Sequence, residues 1–278
     1  MSKPIVSVTM AVFNDEKHIK YAIESVAKQT FNNWEFIIID DASTDNTSKI
    51  IDKFRKSDKR IKYYKFESNM GVPAGFNRAV EMSIGNYVAR IDSDDEWINK
   101  NKLKKQLDFM EKNHDFSLVG TWAKVIDKKD KNVLNLNLPK DDWIIRNQML
   151  KHNCFITSSV LIRRTSLNKI ELSNTHFKYA EDYILWLKLG TVGKFHNLPE
   201  YMTQYRINPS GISQNKSIEQ INTSLYAIKK YKKFYPHYFQ AFLLWNIRKY
   251  YPKWFRGPFS INIKKKIASL TNTLSLNG

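Results

Sequence analysis

The chain of 278 residues is 42% hydrophobic, enough for one large α/β domain or two small ones around a sizeable core. Its 45 Lys and Arg against 27 Asp and Glu leave a formal charge of +18, so an anionic partner is expected: nucleic acid, a membrane surface or a phosphorylated ligand. No apolar run reaches the roughly 18 residues of a membrane span, the start M-S-K-P-I-V-S-V has no signal-peptide pattern, and the lone Cys154 excludes an internal disulfide and a cysteine metal cage. A globular protein working in the cytoplasm is the expectation.

Residues 4–12 read as a buried strand, and Asp15 to Lys28 as a helix on the spacing of Ile19, Ala22, Ile23 and Val26. Trp34 to Asp40 is a second strand, and a helix follows from Thr44 to Phe54. Ile61 to Phe66 and Val72 to Ser83 repeat the pattern, and Tyr87 to Ile91 supplies a fourth strand. Strands alternating with helices predict a mainly parallel central sheet covered on both faces. Right-handed crossovers then place the strand C-terminal ends at one edge, where such sheets bind ligands. Four polar sites fall there: Phe13-Asn14, Asp40-Asp41, Asn69 to Gly71, and Asp92 to Asp95.

The last site lies in V-A-R-I-D-S-D-D-E-W, Val88 to Trp97, where an apolar strand runs into three aspartates and a glutamate. In extended backbone, residues two apart project to the same side. Asp92 and Asp94 can therefore present two carboxylates to one hard cation, Mg²⁺ or Mn²⁺, while Asp95 faces elsewhere. The other reading is a solvated acidic turn that ends a strand. No G-x-G-x-x-G follows the first strand and no G-x-x-x-x-G-K-[ST] occurs, so a nucleotide diphosphate has no glycine cradle here and a divalent cation would supply the counter-charge. Asp41 can accept the N–H of a flat base or cap a helix, and Phe13 can offer its ring to that base or pack in the core.

Past Trp97, Asn101 to Asn113 reads as a basic amphipathic helix with Leu103, Leu107 and Met110 on one face. Phe116 to Asp127 is a strand, D-K-K-D-K-N a surface turn, Asp141 to His152 a helix and Phe155 to Arg163 a further strand, with Cys154 a small buried hydrophobe. Y-A-E-D-Y leads into I-L-W-L-K-L at helical spacing, which puts Glu181 and Asp182 at a helix start. From Ile218 an amphipathic helix carries Lys229, Lys230, Lys232 and Lys233, and the chain after Pro236 mixes Trp245, Tyr250, Tyr251, Trp254 and Phe255 with Arg248, Lys249, Lys253 and Arg256. Rings among cations suit a lipid interface, and a packed helical extension with a solvated basic face is the alternative. The expected division is 1–97 and 98–215 as two halves of one domain and 216–278 as a helical extension.

The ordered segments V-S-V-T-M-A-V-F-N, A-I-E-S-V-A-K-Q-T-F, I-I-I-D-D-A-S-T-D-N-T, N-M-G-V and R-I-D-S-D-D-E-W together resemble the family 2 glycosyltransferases of the GT-A fold, over residues 4–213. The resemblance implies metal-dependent, inverting transfer from a nucleoside-diphosphate sugar, expected to be a UDP-sugar. The acceptor it implies is a hydroxyl of a glycan or lipid-diphosphate-linked oligosaccharide, in surface polysaccharide synthesis at the inner face of the plasma membrane. The first half would bind the donor and the second the acceptor. Asp41 would recognise the base, Phe13 stack on it, and Asp92 with Asp94 touch ribose, Mn²⁺ or Mg²⁺ and diphosphate. Which of Asp92, Asp94 and Asp95 ligates the metal is left open.

Asn69, Gly71, Arg90 and Arg206 join the implied nucleotide-binding set, Arg90 at a basic position of many members and Arg206 in the family's closing segment near the diphosphate. Glu181-Asp182 resembles the family's E-D signature, in which the aspartate takes the proton of the acceptor hydroxyl. Glu181 would then support acceptor or structural contacts, and Trp186, one turn on, would pack in the core or line the acceptor site. Two positions depart from the pattern: Asn208 stands where the family frequently has histidine, and Ala11 where some relatives carry a hydroxyl. Two other classes share part of this pattern. A nucleotidyltransferase on a related sheet would use the same nucleotide and metal but form diphosphate. A nucleic-acid-binding protein using the basic tail would leave the acids idle.

Overall fold

The computed structural model of the chain describes residues 3–172, 177, 179–207 and 217–250. Strands β1 (Val6–Val12), β2 (Trp34–Asp40), β3 (Ile61–Lys65) and β4 (Tyr87–Arg90) alternate with helices α1 (Ile19–Ala27), α2 (Thr47–Ser57) and α3 (Val72–Met82). There follow β5 (Glu96–Trp97), α4 (Lys102–Lys112), β6 (Phe116–Ile126), β7 (Asn132–Leu136), α5 (Asp142–Met149), β8 (Leu161–Arg163), α6 (Arg164–Leu167), α7 (Glu181–Leu189) and β9 (Lys194–Arg206). Two helices complete the described chain, α8 (Ser217–Tyr231) and α9 (Tyr238–Tyr250). No helix among the described residues is long and apolar enough to cross a membrane.

Among the described residues, nine strands form one sheet in the order β3-β2-β1-β4-β8-β6-β9-β5, with β7 paired to β6. The first four are parallel to one another. β8 then joins β4 and β6 antiparallel, while β6 and β9 run parallel from Phe116↔Lys194 to Ile126↔Arg206. Alternation along the strands divides the core. Val6, Val8 and Met10 pack with Ile19 and Ile23 of α1 and Leu103 and Met110 of α4, whereas Val88, Leu118 and Ile162 pack with residues of α3, α5, α7, α8 and α9. This two-sided burial is why β1 and β2 read as near-continuous apolar runs.

Two expectations need correction. Phe155 to Arg163 is a strand only from Leu161 onward, because Thr157–Ser159 form a 3₁₀ turn whose polar groups serve other partners. Ser158 C=O accepts from Trp97 Nε1 at 2.7 Å and Ser159 C=O from Gln106 Nε2 at 2.8 Å, so this backbone is withdrawn from the ladder. The other is β9, a strand of 13 residues, where the sequence offers only the family's closing segment around Arg206. Its sequence K-F-H-N-L-P-E-Y-M-T-Q-Y-R lacks alternation, and its place is set by pairing with β6.

Candidate active site

Three sets of hydrogen bonds draw the edge loops together. Asn14, with φ of 50°, accepts the Thr44 N–H at 2.8 Å through Oδ1 and donates its own N–H to Ser43 Oγ at 3.0 Å, tying the loop after β1 to the loop after β2. Phe13 beside it is half exposed, so of the two places open to its ring it takes the solvent-facing edge. Asp40 is buried, and burial would raise its pKa. Donors from Ser43, Ser48 and Tyr63 outweigh burial and hold the carboxyl below its ordinary value.

Asp41 does not cap α2. Its carboxylate reaches across the edge to accept the Met70 N–H at 2.6 Å and the Gly71 N–H at 2.8 Å, at the start of α3. Gly71 has φ of 86°, a backbone that a side chain would strain. The exposed Asn69 donates from Nδ2 to the Asp41 carbonyl at 3.4 Å.

The acidic loop after β4 divides by burial. Asp95 is buried, with Oδ2 accepting from Ser158 Oγ at 2.5 Å and Oδ1 from the Arg206 N–H at 2.8 Å. Asp92 and Asp94 retain exposed surface. Arg206 is itself buried. Its Nε donates to the Asp94 carbonyl at 3.1 Å and its Nη1 to Asp130 Oδ1 at 2.5 Å, so its guanidinium clips the acidic loop to the β6–β7 turn. Ser93 Oγ donates to Asp15 Oδ2 at 2.6 Å, and Asp15 Oδ1 pairs with His18 Nδ1 at 2.7 Å.

The electrostatics of this loop are those of excess negative charge. Burial pushes Asp92 up to about 6, against the opposing effect of Arg90 and with Asp94 and Asp182 adding to the rise. Asp94 is raised by burial and by Asp15, and Asp95 well raised by burial and its two aspartate neighbours. Crowded, desolvated carboxylates with surface left on Asp92 and Asp94 fit a divalent cation. Among the described residues no group of three or more His, Cys, Asp or Glu surrounds a single point. A pair of carboxylates suits an ion that takes its remaining oxygens from phosphate and water, as Mg²⁺ does.

Opposite this loop stands α7. Ala180, with φ of 56°, turns the chain into the helix and presents Glu181 and Asp182. Asp182 Oδ2 accepts from Asn153 Nδ2 at 2.9 Å and Thr157 Oγ1 at 3.1 Å, and Oδ1 accepts the Tyr183 N–H at 2.7 Å. Glu181 Oε1 lies 3.2 Å from Arg90 Nη2. Burial first, then Asp182, raises the Glu181 carboxyl to about 7, with Arg90 opposing. Arg90 is buried, its guanidinium 4.2 Å from the centre of the Phe76 ring, and its Nη1 has no hydrogen-bond partner. Trp186 is fully buried against Phe155, so of its two possible places it takes the core.

The structure thus gathers Phe13, Asp41, Asn69, Gly71, Asp92 and Asp94 at one edge, and the Arg90–Glu181 pair brings the start of α7, with Asp182, to the end of β4. Arg90, Arg206, Asp95 and Trp186 lie beneath that edge. Sequence reasoning missed Asp15, Asn153, Thr157 and Ser158. The available signal was T-S-S interrupting an otherwise apolar run, since three hydroxyls in a buried segment need partners. Asn208, Ser210 to Ser213, and Tyr251, Lys253, Trp254, Phe255 and Arg256 lie outside the described residues.

The chain is 35% identical over 219 residues to the UDP-Glc:alpha-D-GlcNAc-diphosphoundecaprenol beta-1,3-glucosyltransferase WfgD of Escherichia coli, covering 78% of this chain and 82% of that protein. Its fold is shared with S. aureus TarS 1-349 in complex with UDP-GlcNAc, with a TM-score of 0.69 at 21% identity over 90% of this chain and 74% of that one. It is shared also with the mannosyltransferase PcManGT from Pyrobaculum calidifontis in complex with GDP-Man and Mn²⁺, with a TM-score of 0.66 at 14% identity over 99% of this chain and 81% of that one. Residues 7–171, more than half the chain, match the family model Glycosyl transferase family 2, and with the edge site and sheet described above this chain belongs to that family of glycosyltransferases.

Proposed function

We propose that the chain transfers one sugar from a UDP-sugar to a hydroxyl of a glycan carried on a lipid diphosphate, with inversion at the anomeric carbon, in surface polysaccharide synthesis at the cytoplasmic membrane face. The donor and acceptor follow those named for the Escherichia coli relative. The observation that carries the reading is the 3.2 Å pair between Arg90, the last residue of β4, and Glu181, which brings the start of α7, and with it Asp182, to the acidic loop after β4. Asp182 serves the attacking side and the carboxylates of that loop the leaving side.

Asp41 and Phe13 hold the base, the carboxylate by hydrogen bonding and the ring by stacking. Asp92 and Asp94 would hold Mg²⁺ or Mn²⁺, as expected from the donor set and from the Mn²⁺ in the PcManGT complex. When bound, the cation supplies counter-charge for the diphosphate. Asp182, oriented by Asn153 and Thr157, takes the proton of the acceptor hydroxyl as that oxygen bonds to the anomeric carbon. The bond from that carbon to the diphosphate oxygen breaks, and its electron pair leaves on UDP. Asp95 and Arg206 keep the acidic loop in shape from below.

Asp182→Asn keeps the size and most hydrogen bonds of the side chain but cannot take the proton. Transfer, followed as UDP release with a lipid-linked acceptor, should fall about 100- to 10,000-fold. Thermal stabilisation by UDP with Mn²⁺ should persist. Turnover at the parent rate would move the base elsewhere, and formation of diphosphate from a nucleoside triphosphate would favour a nucleotidyltransferase instead.

A further inference from the structure

Helix α9 is docked by one side only. Ala241 is fully buried, Trp245 Nε1 donates to the Leu150 carbonyl at 2.8 Å, and Arg248 Nη1 donates to the Lys151 carbonyl at 2.8 Å, so the 241–245–248 stripe faces the protein. The outward stripe is not polar. Phe239 is 83% exposed, Tyr250 69%, Leu243 62% and Phe242 45%, and positions 239, 242, 243 and 250 share one face at helical spacing. A surface helix normally shows water its charges, and this one shows rings and a leucine.

The charge around that stripe has one sign. Residues 220–250 contain Lys229, Lys230, Lys232, Lys233, Arg248 and Lys249 and no acid. Lys232 lies over Tyr238 at 5.4 Å, and Lys249 over Tyr250 at 5.7 Å, so cations flank the apolar stripe at both ends of the helix. A second copy docked face to face would set these lysines against their own kind. The segment 251–278, which carries Lys253, Arg256 and Lys264 to Lys266, has the same sign. An anionic bilayer satisfies both features, since its headgroups meet the lysines and its acyl boundary receives the rings.

We propose that the outer face of α9 is an in-plane docking surface for an anionic lipid bilayer. The Trp245 ring lies 6.1 Å from that of Tyr183, the residue after Asp182, so the docked helix backs directly onto the helix that presents the base. Docking there holds the acceptor side of the enzyme at the membrane. Only that last purpose rests on the proposed function, because binding to lipid needs no transfer.

The test is co-sedimentation of the full chain with phosphatidylglycerol-containing vesicles and with pure phosphatidylcholine vesicles, for the parent and for Phe239→Ser/Leu243→Ser. Both positions are exposed, so the variant should keep its melting temperature and its transfer to a soluble acceptor. The parent should bind the anionic vesicles and much less the neutral ones, and the variant should bind the anionic vesicles roughly tenfold more weakly. Equal partition of parent and variant would overturn the proposal. So would a parent that binds neither vesicle and instead self-associates through these residues, as read by sedimentation velocity. Loss of transfer with vesicle binding intact would count against the proposed function alone.

Discussion

Lys102 on α4 has no accessible surface, its Nζ donating to Gln106 Oε1 at 2.8 Å and lying 4.1 Å from the centre of the Trp97 ring. Burial disfavours the ammonium and holds its pKa well below the ordinary 10.5. Between that lowered value and 10.5 the unfolded chain binds a proton that the folded chain does not. Stability from this group therefore rises with pH across the window, by at most about 1.4 kcal/mol per pH unit. Lys102→Met removes the effect. Melting curves from about pH 7 to about pH 10 should show the variant losing ground to the parent as pH rises, and a constant difference would show that the lysine is solvated. In sequence Lys102 reads as one more cation on a basic amphipathic helix. Its burial depends on Trp97 and Gln106 closing over it, and no local pattern encodes that.

At the level of elements, α3 matters because the two residues that lead into it, Met70 and Gly71, supply the amides that Asp41 holds. Gly75 on this helix faces β1, and a Cβ there would lie 2.7 Å from that of Ala11. Gly75→Ala gains about 1 kcal/mol of helix propensity but forces strand and helix apart, which costs about 1–3 kcal/mol. Net destabilisation with weaker UDP binding is expected, and adding Ala11→Gly should restore both. Calorimetric titration of UDP into the single and double variants decides this, and a double variant no better than the single would place the strain elsewhere. The three strand–helix repeats of this half and the strand that follows them were legible because each buried strand is an apolar run and each helix an interrupted one. β9 was not. Pro199, Glu200 and Gln204 break any pattern, and the strand exists because β6 offers it a partner along its length.

Across the molecule, the parallel half and the mixed half meet at a short ladder, Tyr87↔Arg163 to Ala89↔Leu161. Arg90 with Glu181, and Asp95 with Ser158 and Arg206, fasten the halves where that ladder ends. Removing one member of a buried ion pair strands the other, at about 3–5 kcal/mol, and proton uptake by Glu181 brings the loss toward the lower end. Arg90→Met should therefore lower the denaturation midpoint in urea, and Arg90→Met/Glu181→Leu should recover much of the loss. A single variant as stable as the parent would remove Arg90 from this role. The convergence of four edge loops was readable from strand–helix alternation, which dictates where strand ends lie. The identity of the strand beside β4 was not, because antiparallel additions obey no such rule of handedness.

One bond also dates the assembly of the site. Asp95 is held by the amide of Arg206, 111 residues further along the chain. As the polypeptide leaves the ribosome, β1 to β4 can pair and pack first, since their contacts are near in sequence. The acidic loop acquires its last constraint only when β9 has been made and has inserted beside β6. Donor-side geometry is thus completed late in synthesis, and a nascent chain short of residue 206 carries its aspartates without the partner that sets them.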